Sequence, residues 1–297
     1  MAKKYRKRKI AAMLLVTVSI AVFFITHQVL PYAIISRHKQ PSTQLPSELG
    51  LKAEKASFKI NDSIQLKGYW VTPKNNPPKS IMLLLHGIGG GKEHFYELAK
   101  SLADQQIASV VYDARGHGES DGNYISYGFY EKEDVSVIVS KVKERYPDIP
   151  LGVWGNSMGG TVALQALAME PRLNFGVIES TFTDLKTIVN DYQKRYSFGI
   201  GLQSICNYAL SRAGEIGKFD PSKVRPIDAV KNIEQSIFIA HGTEDPNIKF
   251  EYGKALFDNL KTKDKIFYPV QGANHYDLFE VGGDAYTEAV LKFIKRQ

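Results

Sequence analysis

The sequence predicts an α/β fold: a mostly parallel, doubly wound sheet opened by an N-terminal antiparallel hairpin and carrying a small helical cap, with a transmembrane helix ahead of it. Three observations carry this expectation. From Ser80 onward, short apolar runs alternate with longer amphipathic stretches, the signature of strands and crossover helices in succession. The runs are apolar at consecutive positions rather than at every second one, as strands covered on both faces must be. Residues 10–30 form a nearly unbroken apolar stretch of their own.

The basic flank comes first. Lys3, Lys4, Arg6, Lys7, Arg8 and Lys9 supply six of the positive charges behind a net charge of +7, so about one remains for the rest of the chain. A near-neutral remainder offers no broad electrostatic footprint for a nucleic-acid backbone, and that class of partner is set aside. The stretch IAAMLLVTVSIAVFFITHQVL that follows would, as a helix, span about 30 Å, the thickness of bilayer hydrocarbon. A cleaved signal peptide has a shorter apolar region followed by a small-residue cleavage site. No clear site stands in PYAIISRHK at 31–39. The expectation is therefore an uncleaved signal anchor at 10–30, with a cleaved signal or a buried helix as the alternatives. The positive-inside rule keeps residues 1–9 in the cytoplasm and sends the rest to the extracytoplasmic side.

Residues 31–55 read as a linker, since from Arg37 they are polar, broken by prolines and without sustained period. Residues 56–72 alternate and break at Asn61 and Asp62, which predicts the hairpin. Strands are then expected at 81–86, 107–113, 151–155, 175–180, 236–242 and 265–270, and helices at 92–106, 129–146, 158–169, 250–261 and 284–296. One connection is too long for a simple crossover, with about 55 residues between Ser180 and Ser236. Apolar spacing at Leu185, Ile188, Val189 and Tyr192, and again at Leu202, Ile205, Ala209 and Leu210, makes it a helical cap over 181–235 within one domain of 56–297.

The sharpest local signal is GNSMGG at 155–160, a G-x-S-x-G pattern between an apolar run and a helical stretch. So tight a turn strains its central residue and needs glycine on either side. It presents Ser157 as candidate nucleophile and directs the Met158 N–H towards developing negative charge. LLLHGIGGG at 83–91 supplies a glycine-rich turn after a strand, with the Ile88 N–H as second candidate oxyanion donor. Its spacing is neither a P-loop nor a dinucleotide fingerprint. Asp245 in HGTEDPNI and His275 in GANHYD each follow a strand, on the rim where Ser157 is expected, in the chain order serine, acid, histidine. Glu179 and Asp184 are the reserve acids, whereas Glu244 and Asp277 read as surface carboxylates. His86, His117 and His241 lie in turn sequences and read as structural. No histidine or carboxylate cluster has metal-ligand spacing, and no cofactor or metal is expected. The single cysteine, Cys206, reads as a small buried apolar residue and excludes an internal disulfide.

Together HGIGG, GNSMGG, HGTED and GANHYD resemble the α/β-hydrolase superfamily over roughly residues 56–297, and within it the capped monoacylglycerol-lipase-like and serine-aminopeptidase-like hydrolases. DARGHGES at 113–120 is similar to that family's structural turn after its fourth strand, which makes Asp113, Arg115 and His117 scaffold. Two positions depart from the pattern: Lys249 stands where the family often has proline, and Asn274 where it often has glycine. The resemblance implies acyl transfer through Ser157, His275 and Asp245 on a small-molecule acyl substrate, an ester or alternatively an amide or peptide. A non-catalytic, membrane-tethered binding protein is the remaining alternative. Serine at the nucleophile position disfavours epoxide hydrolase and dehalogenase chemistry. Phe182, Tyr192, Tyr196, Phe198, Tyr208 and Phe219 in the cap would either roof a pocket for lipid-like or medium-chain esters or simply pack the cap down.

Overall fold

The computed structural model describes residues 2–40, 42–197 and 199–297. In chain order it contains α1 (Ala2–Phe24), α2 (Leu30–Ile35), β1 (Ala53–Asn61), β2 (Ile64–Val71), β3 (Ser80–Leu85), α3 (Tyr96–Asp104), β4 (Ile107–Tyr112), α4 (Glu131–Arg145), β5 (Leu151–Asn156), α5 (Met158–Leu167), β6 (Phe175–Glu179), α6 (Leu185–Tyr196), α7 (Gln203–Gly217), α8 (Pro226–Ala229), β7 (Ser236–Gly242), α9 (Phe250–Asn259), β8 (Lys265–Val270) and α10 (Leu278–Lys295). One eight-stranded sheet runs in the order β1-β2-β4-β3-β5-β6-β7-β8. β2 pairs antiparallel with β1 and β4, and every later pairing is parallel.

The continuous apolar character of the central strands has a simple origin in the pleat, which sends neighbouring side chains to opposite faces. Ile81, Leu83 and Leu85 of β3 enter a core completed by Val135, Ile138 and Val142 of α4 and Val162 of α5. Met82 and Leu84 enter the other core, with Tyr96 and Leu102 of α3 and Val290 and Phe293 of α10. A parallel register then brings the carboxyl ends of β3, β5, β6 and β7 to one rim. Residues that must meet there come from remote parts of the chain.

Gly283 (φ 54°) breaks helical geometry within α10, so the helix expected at 284–296 is preceded by a short helical stretch from Leu278. One difference from the sequence expectation is larger. Residues 31–55 were read as a linker, and in the structure their first part is docked on the folded domain. Ile35 is fully buried beside Ile125, Leu210 and Ala213. Tyr127 Oη donates to the Ile34 carbonyl at 2.6 Å, and the His38 N–H donates to the Gly116 carbonyl at 2.7 Å. The cause is composition: LPYAII at 30–35 is too apolar to be left in water, and β1 already starts at Ala53.

The N-terminal apolar helix runs over Lys4–Ile35, 32 residues with a mean hydropathy of 2.3 in its most apolar part, and is long and apolar enough to cross a membrane. It widens into one π turn at Ile25–Val29. Pro31 has no N–H to donate to the carbonyl of His27, and the widened turn begins just before it.

Candidate active site

Ser157 leaves β5 with φ 54° and ψ −118° and heads directly into α5. A non-glycine residue held there costs about 1–3 kcal/mol, so its surroundings must impose it. They do so through backbone: the Ser157 N–H donates to the Glu179 carbonyl at 2.9 Å, and Thr181 Oγ1 donates to the Ser157 carbonyl at 2.7 Å. The flanking glycines are steric necessities. A Cβ on Gly155 would stand 2.3 Å from the Gly159 carbonyl oxygen, and one on Gly159 only 1.9 Å from that of Leu85.

The rim brings the three expected residues together. His275 Nε2 lies 3.0 Å from Ser157 Oγ, and His275 Nδ1 lies 2.7 Å from Asp245 Oδ2. The other carboxylate oxygen of Asp245 accepts the N–H groups of Asn247 at 2.7 Å and Ile248 at 2.9 Å. Burial alone would raise the Asp245 carboxyl, but hydrogen bonds from His241, His275 and the Ile248 N–H hold it well below the ordinary carboxylate value. An ionised Asp245 claims the proton on Nδ1 and leaves Nε2 free to accept from the serine hydroxyl.

The two residues expected to supply oxyanion donors lie on two abutting turns. Met158 is the first residue of α5, so its N–H has no acceptor within the helix. Ile88 sits in the turn after β3, and a Cβ on neighbouring Gly87 would lie 3.2 Å from Ser157 Cβ, which shows how closely that turn abuts the serine. Ile88, Met158 and Ser157 border one cavity of about 570 Å³ beneath the cap. His275 borders a second, of about 510 Å³, together with Gly87, Trp154 and Glu179. The serine–histidine pair thus stands between two chambers.

The reserve acids have other partners. Glu179 accepts from Tyr286 Oη, its carboxyl raised by burial, and Asp184 caps α6 by accepting the Thr187 N–H at 2.8 Å. Asp277 accepts the Asn274 backbone N–H at 2.7 Å and also its side-chain NH₂, while the side-chain oxygen Oδ1 of Asn274 accepts the Tyr276 N–H at 2.8 Å, so the side chain of this family departure braces the His275 loop. Lys249, the other departure, reaches Asp191 of α6 at 2.9 Å and ties the acid loop to the cap. His86 is a scaffold residue: one ring nitrogen donates to the Gly87 carbonyl at 2.8 Å and the other accepts the Ala114 N–H at 2.9 Å. In the DARGHGES turn, Asp113 pairs with buried Lys92 at 2.7 Å and Arg115 grips Asp134 with two nitrogens. His117 is pushed down to about 3 by burial and by neighbouring His86.

Two contributors escaped the sequence reading. His241 was read as a turn residue, but it is fully buried at the end of β7, its Nε2 3.5 Å from Asp245 Oδ2 and 2.9 Å from the Ile248 carbonyl. Thr181 holds the strained serine backbone, and no pattern in a single sequence marks it. Among the cap aromatics, Phe182, Tyr192 and Tyr196 border the larger cavity, Phe219 packs on Phe129 and Tyr208 meets His27 of the N-terminal helix. Phe198 lies outside the described residues.

A mostly parallel eight-stranded sheet with an antiparallel second strand, and a serine turn on the rim after its fifth, is the α/β-hydrolase fold. A family model described as serine aminopeptidase, S33, matches residues 76–200. The chain is 27% identical over 234 residues to a monoglyceride lipase homolog of monkeypox virus, covering 76% of this chain and 80% of that protein. It is 25% identical over 249 residues to an uncharacterized protein, YqkD, of Bacillus subtilis, covering 81% and 79%. The solved structure of a Pyrococcus furiosus esterase, Pf2001, superposes with a TM-score of 0.73 at 21% identity, covering 88% of this chain and 97% of that one. The family model, the relatives and the fold together support an α/β-hydrolase superfamily.

Proposed function

We propose that the protein is a membrane-anchored serine hydrolase that cleaves carboxylic esters of small, acyl-bearing molecules. The observation that carries this reading is the hydrogen-bonded line from Ser157 through His275 to Asp245; in this reading the N–H groups of Met158 and Ile88 are the oxyanion donors. His275 takes the hydroxyl proton as Ser157 Oγ attacks the substrate carbonyl. The N–H groups of Met158 and Ile88 receive the negative charge that develops on the carbonyl oxygen, each worth about 3 kcal/mol in such sites. His275 then returns the proton to the departing alcohol, and water, activated the same way, releases the acyl group from Ser157.

The two chambers support a division of labour. The apolar one under the cap, bordered by Ser157, suits the acyl part, and the one beyond His275 suits the leaving group. The apolar helix over Lys4–Ile35 and its basic N-terminal flank support an uncleaved anchor with the hydrolase domain on the extracytoplasmic side.

Fluorophosphonate labelling of the full-length protein tests the core of this reading. Wild type should be labelled and should hydrolyse p-nitrophenyl butyrate, whereas Ser157→Ala should do neither while keeping its melting temperature. Hydrolysis that survives Ser157→Ala would end the proposal. Matched amide substrates measure how far ester is preferred, and protease digestion of spheroplasts, expected to remove the domain, tests its side of the membrane.

A further inference from the structure

We infer that the membrane helix is itself one wall of the acyl-binding chamber, and that the substrate is therefore an amphiphile whose ester-linked tail comes from the bilayer. The inference rests on the ester-hydrolase reading above and adds the substrate class to it. Leu30, Ala33 and Ile34, three and four residues apart on one side of α2, border the cavity that also exposes Ser157 and Met158. Ile188 of α6 and Ile205, Cys206 and Ala209 of α7, the helix on which α2 packs, line it too. None of the described lining residues is charged. An apolar chamber of about 570 Å³ built jointly by cap and anchor has room for an extended hydrocarbon tail.

The wall is fastened in place. Ile35 is fully buried, Tyr127 Oη holds the Ile34 carbonyl at 2.6 Å, and His27 Nδ1 meets Tyr208 Oη of α7 at 2.6 Å. Because the helix is continuous from Lys4 to Ile35, the residues that border the chamber directly continue those apolar enough to lie in the membrane. The neighbouring rim of the cap is apolar as well. Tyr196 and Ile200 are 77% and 63% exposed, and Leu202 and Tyr208 are exposed beside them. Side chains of this kind suit the boundary between headgroups and water, where tyrosine rings gather. A tail moving from bilayer to chamber along this path stays in apolar surroundings, so the cost of passing through water is avoided.

A tail bound this way should make catalysis depend on chain length, by about fourfold in kcat/KM for each methylene that enters the chamber. The test uses the full-length protein in phosphatidylcholine vesicles with p-nitrophenyl esters from butyrate to decanoate. Ala33→Trp pushes an indole into the chamber from the anchor side and should lower the decanoate-to-butyrate ratio of kcat/KM at least tenfold. Leu30→Ala enlarges the chamber and should move the optimum to longer esters; it decides the matter if Ala33→Trp does not accumulate. Val18→Trp, on the same helix but remote from the cavity, should leave the ratio unchanged. Butyrate hydrolysis with an unaltered chain-length profile in both chamber variants overturns this inference and leaves the hydrolase reading standing. A wild-type protein with no Ser157-dependent hydrolysis of any ester overturns both.

Discussion

Replacing Asp245 by asparagine probes the site with almost no change of shape. One carboxylate oxygen of Asp245 accepts two backbone N–H groups, from Asn247 and Ile248. Asparagine must keep its carbonyl oxygen there, because turning its NH₂ that way would set donors against donors. The NH₂ then faces His275 Nδ1, at a position now 2.7 Å from a carboxylate oxygen. Nδ1 must become the acceptor, and the ring proton moves to Nε2, 3.0 Å from Ser157 Oγ. An Nε2 that already carries a proton cannot take the serine's. The expected loss in kcat is about 10⁴-fold near neutral pH, or roughly 5 kcal/mol of transition-state stabilisation, as for other triads with the wrong tautomer. Steady-state hydrolysis of p-nitrophenyl butyrate measures it, with Ser157→Ala as background. Glu244→Gln, on the same turn but not bonded to His275, should stay within about twofold. Retention of a tenth or more of wild-type kcat by Asp245→Asn would refute the assignment of His275 as base oriented by this acid.

Other outcomes follow from the same geometry. Gly159→Ala places a Cβ 1.9 Å from the Leu85 carbonyl oxygen, with only backbone to yield; it should cost about 3 kcal/mol or more, lowering the melting temperature by roughly 6–12 °C. Lys92→Met strands the buried Asp113 carboxylate, which Lys92 now meets at 2.7 Å. The expected cost is about 3–5 kcal/mol by urea unfolding, and Lys92→Met combined with Asp113→Asn should recover part of it. Burial pushes Asp113 upward, but Lys92 and the N–H groups of Lys92 and Glu119 hold it below its ordinary value, as hydrogen bonds hold Asp245. Carboxyls depressed in the folded state stabilise it fully above their unfolded value, near 3.9, and that stability drains away as pH falls through and below it. His117, which burial keeps neutral in the fold, adds a gentler loss that starts below about pH 6.5. Melting temperature should therefore decline slowly from pH 7 to about 5 and fall more steeply towards pH 3; a flat curve down to pH 3 would contradict the pairing.

Ser157 was legible because its constraint is local. A strand, a strained turn and a helix follow one another between Leu151 and Leu167, and the glycines that the turn needs are written beside the serine. Asp245 and His275 were legible more weakly, from their places after strands and from family resemblance, since 118 residues separate the serine from the histidine that it meets at 3.0 Å. His241 and Thr181 carried no such mark. Each acts through one contact with a distant segment, His241 beside the Asp245 carboxylate and Thr181 on the serine's carbonyl. A lone polar residue near a strand end looks the same whether it braces an active site or faces solvent.

The anchor shows the same divide on a larger scale. Apolar length and flanking charge are properties of neighbouring residues, and they mark residues 10–30 as able to span a bilayer without any knowledge of the fold. Hydropathy cannot say which side chains face lipid and which face protein, because both surroundings are apolar. That Leu30, Ala33 and Ile34 border the same cavity as Ser157, and that the start of the linker is docked on the domain, was decided only when α2 met α7 and the Tyr127 loop. By itself the chain determined strand, helix, turn and one helix apolar enough to cross a membrane through short-range pattern; which of those pieces share a cavity depended on packing between segments far apart in the sequence, where no local pattern reaches.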